Sequence, residues 1–124
     1  MKKRYLILLS ALLLAADLYT KHLTETFLNL NEYITVIPNF FDIHYARNTG
    51  AAWSMFDGGW MHPIFIVLSL SVSCYALYTF VKKDHPLLLV SLSFILAGNL
   101  GNFYDRVRFQ YVRDMLSFNL FGYP

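Results

Sequence analysis

The sequence predicts a membrane-spanning α-helical bundle with a small β-sheet at one end. Three observations carry this. Only 15% of the 124 residues are charged, where soluble domains average about 25%. Three long apolar runs are separated by short polar stretches, and two further segments alternate apolar and polar residues. The mean hydropathy of +0.42 and the 18% aromatic content agree, because Trp and Tyr concentrate where a bilayer meets water. A formal charge of +2, with the basic residues scattered, gives no footprint for nucleic acid. The single cysteine, Cys74, lies in an apolar run, so no intrachain disulfide or two-cysteine metal motif can form, and Cys74 reads as a buried spectator. The whole of 1–124 reads as one integral membrane domain.

The first span, about 5–19, follows Lys2-Lys3-Arg4. A basic start, a short apolar stretch and Ala15-Ala16 also fit a cleavable secretory signal. Asp17 and Lys21, at i,i+4, instead favour a retained helix with a charge pair at its outer end, worth at most about 0.5 kcal/mol if exposed. Exchanging the two residues should then be tolerated better than either single change. The second span, about 60–81, ends at Lys82-Lys83. The third, about 86–104, is an uncharged run of nineteen residues from Pro86 to Tyr104, long enough at about 1.5 Å per residue to cross the hydrocarbon core. The Lys/Arg clusters at 2–4 and 82–83 flank membrane ends, which puts both on the cytoplasmic side. The loop 20–59 and the tail 105–124 are then extracytoplasmic.

In the loop, Phe41-Asp-Ile-His-Tyr-Ala-Arg47 has the period of a half-buried strand, and Asn48-Thr-Gly50 reads as a turn. In the tail, Val112, Asp114, Leu116, Phe118 and Leu120 share one face of a second strand. A helical tail would instead align Asn102, Arg106, Gln110 and Asp114.

Polar groups collect where the third span ends: Asn102, Asp105, Arg106 and, eight residues beyond Arg106, Asp114. Ionisable groups at such a depth mark function by default. Asp114 among Val, Leu and Phe would be desolvated and its pKa raised, as an acid or base at neutral pH requires. The rival reading is a surface Asp paired with Arg106, Arg108 or Arg113, and both stay open. Asp105-Arg106 reads as a helix-end salt bridge. Gly98 and Gly101 allow close helix approach. The histidines at 22, 44, 62 and 85 lack metal-ligand spacing, so no metal or cofactor is expected.

Four stretches resemble lipoprotein signal peptidase, the signal peptidase II family of bacterial membrane aspartic proteases. Asp17-Leu-Tyr-Thr-Lys21 resembles the family's Asp-x-x-(Ser/Thr)-Lys. Asn39 to Ser54, containing Tyr45-Ala-Arg-Asn48-Thr-Gly-Ala-Ala-Trp-Ser54, is similar to its Phe-x-(Ile/Leu)-x-(Tyr/Phe)-x-x-Asn-x-Gly-Ala-Ala-Phe-Ser. Gly98-Asn-Leu-Gly-Asn102-Phe-Tyr-Asp105-Arg106 resembles Gly-Gly-Ala-x-Gly-Asn-x-x-Asp-Arg, and Tyr111-Val-Arg-Asp114 resembles Gly-x-Val-x-Asp-Phe. The matches run in family order across essentially the whole chain.

The resemblance implies removal of signal peptides from diacylglyceryl-modified prolipoproteins, cut just before the lipidated cysteine, by a monomer in the bacterial cytoplasmic membrane with its site on the extracytoplasmic side. Prolipoproteins and membrane lipids are the implied partners. Asp114 matches the first catalytic aspartate, Asn48, Asn102 and Arg106 match substrate-facing residues, and Asp17, Lys21 and Asp105 match structural ones. Gln110 stands where the family usually has Gly, Met115 where it has Phe, and Asn99 within the glycine motif. Past a Trp-Pro-like element, here Tyr123-Pro124, the family continues into Phe-Asn-x-Ala-Asp, its second catalytic aspartate, and a fourth helix. The sequence therefore reads as a fragment, and residues 1–124 alone are not expected to cleave. The alternative is a catalytically inactive membrane binding or interaction protein.

Overall fold

The computed structural model describes residues 2–48 and 61–118. Along the chain run α1 (Lys3–Phe27), β1 (Tyr33–Ile37), β2 (Phe41–Asn48), α2 (Met61–Lys82), α3 (Pro86–Phe109) and β3 (Val112–Phe118). All three helices are long and apolar enough to cross a membrane. Thr49, Gly50, Leu120 and the Tyr123-Pro124 pair lie outside the described residues.

The helices outrun the apolar segments at the sheet end. At 25 residues, α1 is about 37 Å long against about 30 Å of hydrocarbon. In its last turns the threonine hydroxyls are satisfied within the helix. Thr20, Thr24 and Thr26 donate to carbonyls four residues back, and the Leu28 N–H closes the end on Thr24 O at 2.9 Å. At the opposite end, Lys3 Nζ pairs with Asp84 Oδ1 at 3.5 Å and donates to Val81 O at 2.9 Å. Both basic clusters therefore lie at the same end of the bundle.

α3 is the middle helix. Ser10 Oγ of α1 donates to Ser93 O at 2.9 Å. On the other side, Asn99 Nδ2 donates to Ser69 O at 2.6 Å and Ser73 Oγ at 2.7 Å of α2. In hydrocarbon such groups need internal partners, so the Asn that replaces the family's glycine serves as a clamp on α2. Leu6, Ala76, Phe80, Leu89 and Leu92 form the core between helices. Leu8, Leu12, Val67, Tyr75 and Leu87 point outward, as lipid-facing residues do. Cys74 is exposed on α2, not buried; a helix apolar all round carries no period to tell lipid side from protein side. The glycines also divide. A Cβ at Gly101 would collide with the Asp17 carboxylate, whereas one at Gly98 meets nothing within 4 Å. Only Gly101 brings α1 and α3 close.

The sheet has the order β1-β2-β3, antiparallel throughout. β1 and β2 join through Pro38-Asn39, where Asn39 has φ 62° and the Phe40 N–H bonds Ile37 O at 3.0 Å. Pro followed by a positive-φ Asn is the pattern of a type II turn. Between β2 and β3 the register passes from Ile43↔Leu116 to Ala46↔Asp114. Three steps on β2 thus match two on β3, and His44 and Tyr45 bulge opposite Met115. Such bulges re-aim side chains beside functional sites.

α3 ends at Gln110, which is left-handed at φ 66° and ψ 19°, with its N–H on Arg106 O at 3.1 Å. A side chain at such a left-handed position is strained by about 1–2 kcal/mol. Gln110→Gly is expected to stabilise the protein by about 1 kcal/mol, read as a higher thermal midpoint in detergent. A midpoint that falls would contradict this reading of the turn.

Candidate active site

The chain leaves α3 through the tight Gln110 turn and enters β3 almost at once. The first residues of β3, Val112 and Arg113, are each only 4% exposed. Arg113 turns inward onto Asp105, which is 0% exposed. Its backbone N–H and Nε donate to Asp105 Oδ2 at 2.9 and 3.1 Å, and Nη2 donates to Oδ1 at 2.8 Å. Nη1 reaches Glu25 Oε1 of α1 at 2.8 Å. Burial works against the Arg113 charge, and the hydrogen bonds and charge of Asp105 outweigh it, holding the guanidinium above its usual pKa.

Lys21 joins the same cluster from α1. Its side chain is 5% exposed, with Nζ 2.9 Å from Asp17 Oδ2 and 3.6 Å from Asp105 Oδ2. Nζ also donates to Asn102 Oδ1 at 3.0 Å. Asp17 Oδ2 thus has its cation beside it, although no directed hydrogen bond from the described residues reaches that oxygen. The Asp17–Lys21 pair expected from spacing is present, but as part of a buried network and not as an exposed helix-end pair. Asp105 and Arg106 do not bridge each other, because successive helix residues point in different directions.

With Arg113 facing inward, strand alternation turns Asp114 outward. Asp114, Leu116 and Phe118 are exposed, while Met115 and Ser117 are half-buried. The predicted face therefore exists but is the open one, and Val112 is tucked in at its start. Asp114 opens onto a cleft of about 210 Å³ whose walls include Lys21, Asn102, Asp17 and Met115. Asn48 lies diagonal to Asp114 across the ladder and favours its charged form. The Asp114 pKa is pushed up, first by partial desolvation; Lys21, Asn48 and Arg106 pull it back, and Asp105 adds to the rise. Among the described residues no ion pair within 4.0 Å involves Asp114.

Arg106 sits at the edge of this group. Its guanidinium lies over the Phe65 ring of α2, 4.8 Å from the centroid. Its Nη1 is buried and has no hydrogen-bond partner among the described residues. A buried donor of this kind wants an acceptor. The structure thus gathers Asp17, Lys21, Asn102 and Asp114 on one cleft, with Asn48 and Arg106 beside it and Asp105 beneath. Glu25, and Arg113 as the partner of Asp105, escape the sequence reading. Their separation from Asp105 in the chain has no helical or strand period, so only the turn at Gln110 reveals them.

Two outcomes follow. The raised Asp114 pKa means that folding favours the neutral carboxyl. That contribution is complete below the ordinary carboxylate range and is lost as pH rises through the raised pKa. Asp114→Asn should therefore raise the thermal midpoint at pH 7, and the gain should vanish toward pH 3.5, just below the ordinary carboxylate pKa of about 3.9. A lowered midpoint at pH 7 would count against the desolvated carboxyl. The Asp17/Lys21 exchange should be no better tolerated than the single changes, because it sets a carboxylate at position 21 against Asp105. Lys21→Met should cost about 3–5 kcal/mol by reversible unfolding, the scale for a buried pair robbed of one partner, and a cost under 1 kcal/mol would show the ammonium to be solvated.

Comparison with known proteins agrees with this architecture. A family model described as Signal peptidase (SPase) II matches residues 9–124. A lipoprotein signal peptidase of Enterococcus faecalis is 42% identical over 119 residues, covering 94% of this chain and 73% of the relative. One from Moorella thermoacetica is 35% identical over 114 residues, covering 92% and 76%. Two solved structures are also similar, each described as a bacterial membrane enzyme structure obtained by the in meso method. The one at 2.3 Å superposes with TM-score 0.82 at 33% identity, over 96% of this chain and 73% of the other. The one at 1.9 Å gives 0.86 at 32% identity, over 96% and 77%. With its bundle of apolar helices, its three-stranded sheet and this match over nearly its whole length, the chain belongs to the signal peptidase II family of membrane proteins.

Proposed function

We propose that this protein is a membrane-embedded aspartic endopeptidase that removes signal peptides from prolipoproteins, with Asp114 as one of its two catalytic carboxyls. The observation that carries the reading is the placement of Asp114: a partly desolvated carboxyl, with Asn48 diagonal to it, on an open cleft where apolar helices meet a polar sheet. A lipid-anchored substrate must be cut at that level, because its acyl chains stay in hydrocarbon while its scissile peptide needs water. The relatives named lipoprotein signal peptidase supply the substrate class.

Peptide hydrolysis here needs two carboxyls sharing a proton. One removes a proton from the attacking water as its oxygen bonds the scissile carbonyl carbon. The other protonates the carbonyl oxygen, and a proton then passes to the departing amine nitrogen as the C–N bond breaks. Asp114 supplies one member. In the family pattern the other falls in the Asn-x-Ala-Asp element that follows the position of Tyr123-Pro124. Asn102 and Arg106 line the substrate path, with Arg106 Nη1, unpartnered among the described residues, available to a substrate carbonyl. Asp17, Lys21 and Asp105 are structural, holding α1, α3 and β3 together. The end bearing Lys2 to Arg4 and Lys82-Lys83 faces the cytoplasm and the cleft faces outward, in the bacterial cytoplasmic membrane, in the manner of the positive-inside rule.

The test is turnover of a diacylglyceryl preprotein in detergent by protein that includes a family-like Asn-x-Ala-Asp segment after Pro124. Asp114→Asn should lower kcat by about 10²–10⁴-fold with the fold retained, since an amide fills the same volume but cannot take the proton. Unchanged turnover would remove Asp114 from the mechanism.

A further inference from the structure

From the end where α1 begins and α2 ends up to Leu14 and Leu100, within a turn of the cleft residues Asp17 and Asn102, the three helices leave a hollow of about 280 Å³. Leu6, Ile7 and Ala11 of α1, Leu77 and Phe80 of α2 and Leu96 of α3 wall it. The two hydroxyls at its wall are already committed: Ser10 Oγ donates to Ser93 O, and Ser93 Oγ to Leu89 O, each at 2.9 Å. A water there would find no partners, and an empty void would forfeit dispersion contacts on every lining atom. From Leu6 to Leu14 the hollow follows α1 for about 12 Å, most of a leaflet about 15 Å deep.

The end of the bundle beside Phe80 is cationic. The Lys3 ammonium lies 5.7 Å from the centroid of the Phe80 ring, so a wall residue of the hollow is also the seat of a charge. Lys2 and Arg4 flank Lys3, and Lys82 and Lys83 follow Phe80 within three residues. Of these five, only Lys3 forms an ion pair among the described residues, with Asp84. Lys2, Arg4, Lys82 and Lys83 form no ion pair among the described residues and stand at the same end of the bundle as a slot most of a leaflet deep.

We propose that this hollow binds one acyl chain of an anionic phospholipid, whose phosphate is held by the cluster of Lys2, Lys3, Arg4, Lys82 and Lys83. Basic pockets between membrane helices take anionic headgroups on general electrostatic grounds. What distinguishes this one is the slot, which turns diffuse attraction into a single site.

The experiment is native mass spectrometry of the delipidated protein titrated with phosphatidylglycerol or with phosphatidylcholine. The first should bind with a stoichiometry of one per chain and about tenfold more tightly than the second, as one or two net headgroup contacts give. Its binding should weaken as salt shortens the Debye length from about 8 Å to about 3 Å. Ala11→Phe, which fills the slot and leaves every charge in place, should abolish the tight site. If that variant fails to fold, Lys82→Gln with Lys83→Gln carries the test, and must lower both the affinity and its salt dependence. Equal binding of the two lipids, unsaturable uptake, tight binding retained by Ala11→Phe, affinity and salt dependence unchanged in the lysine variant, or a slot occupied by a second copy of the chain in a dimer that Ala11→Phe dissociates would each overturn the proposal.

Discussion

The carboxylate of Asp105 is fully buried at the polar end of an otherwise apolar bundle, and taking such an ion out of water costs several kcal/mol. The chain meets that cost by saturation. Three hydrogen bonds come from Arg113 and a cation approaches from Lys21. One of the three is from the Arg113 backbone N–H, so the demand fixes main chain as well as side chain. It brings the start of β3 against α3 and forces the reversal at Gln110. Once Arg113 faces inward, strand alternation leaves Asp114 no direction but outward. The position of the catalytic candidate is thus a consequence of how its neighbour is buried.

The same network joins the two halves of the molecule. Lys21 and Glu25 extend it to α1, and the glycine at 101 lets α1 approach closely enough for Asp17 to take part. Desolvation and, least of the causes, the charge of Asp105 favour the neutral form of Asp114. Asn48, Lys21 and Arg106 act in the opposite sense. A carboxyl balanced between these influences can hold or release a proton, as a shared-proton aspartate pair requires. The hydrogen-bonded frame underneath need not move for it to do so.

Much of this was legible in the sequence. The apolar runs located all three helices, and alternation found β2 and β3. Spacing alone found the Asp17–Lys21 pair. What escaped has identifiable causes. β1 is a β-branched run, Tyr33-Ile-Thr-Val-Ile37, without alternation; its signal was the Pro38-Asn39 turn that follows. The helix ends were set short because hydropathy stops at the first charge, whereas backbone hydrogen bonding does not. Asp105 was assigned to its sequence neighbour Arg106, when the partner lay beyond a left-handed turn that a glutamine concealed. Asp114 was expected among apolar neighbours on a strand face, and that face proved to be the open wall of a cleft.

The central claim is that the Asp105–Arg113 interaction positions β3, and with it Asp114. Its most direct test is a double-mutant cycle with Asp105→Asn and Arg113→Gln, measured by reversible unfolding in mixed micelles. A coupling of about 2–3 kcal/mol, near the upper end for residues in one network, is the result this account predicts. A coupling below about 0.5 kcal/mol, the level of independent sites, would contradict it.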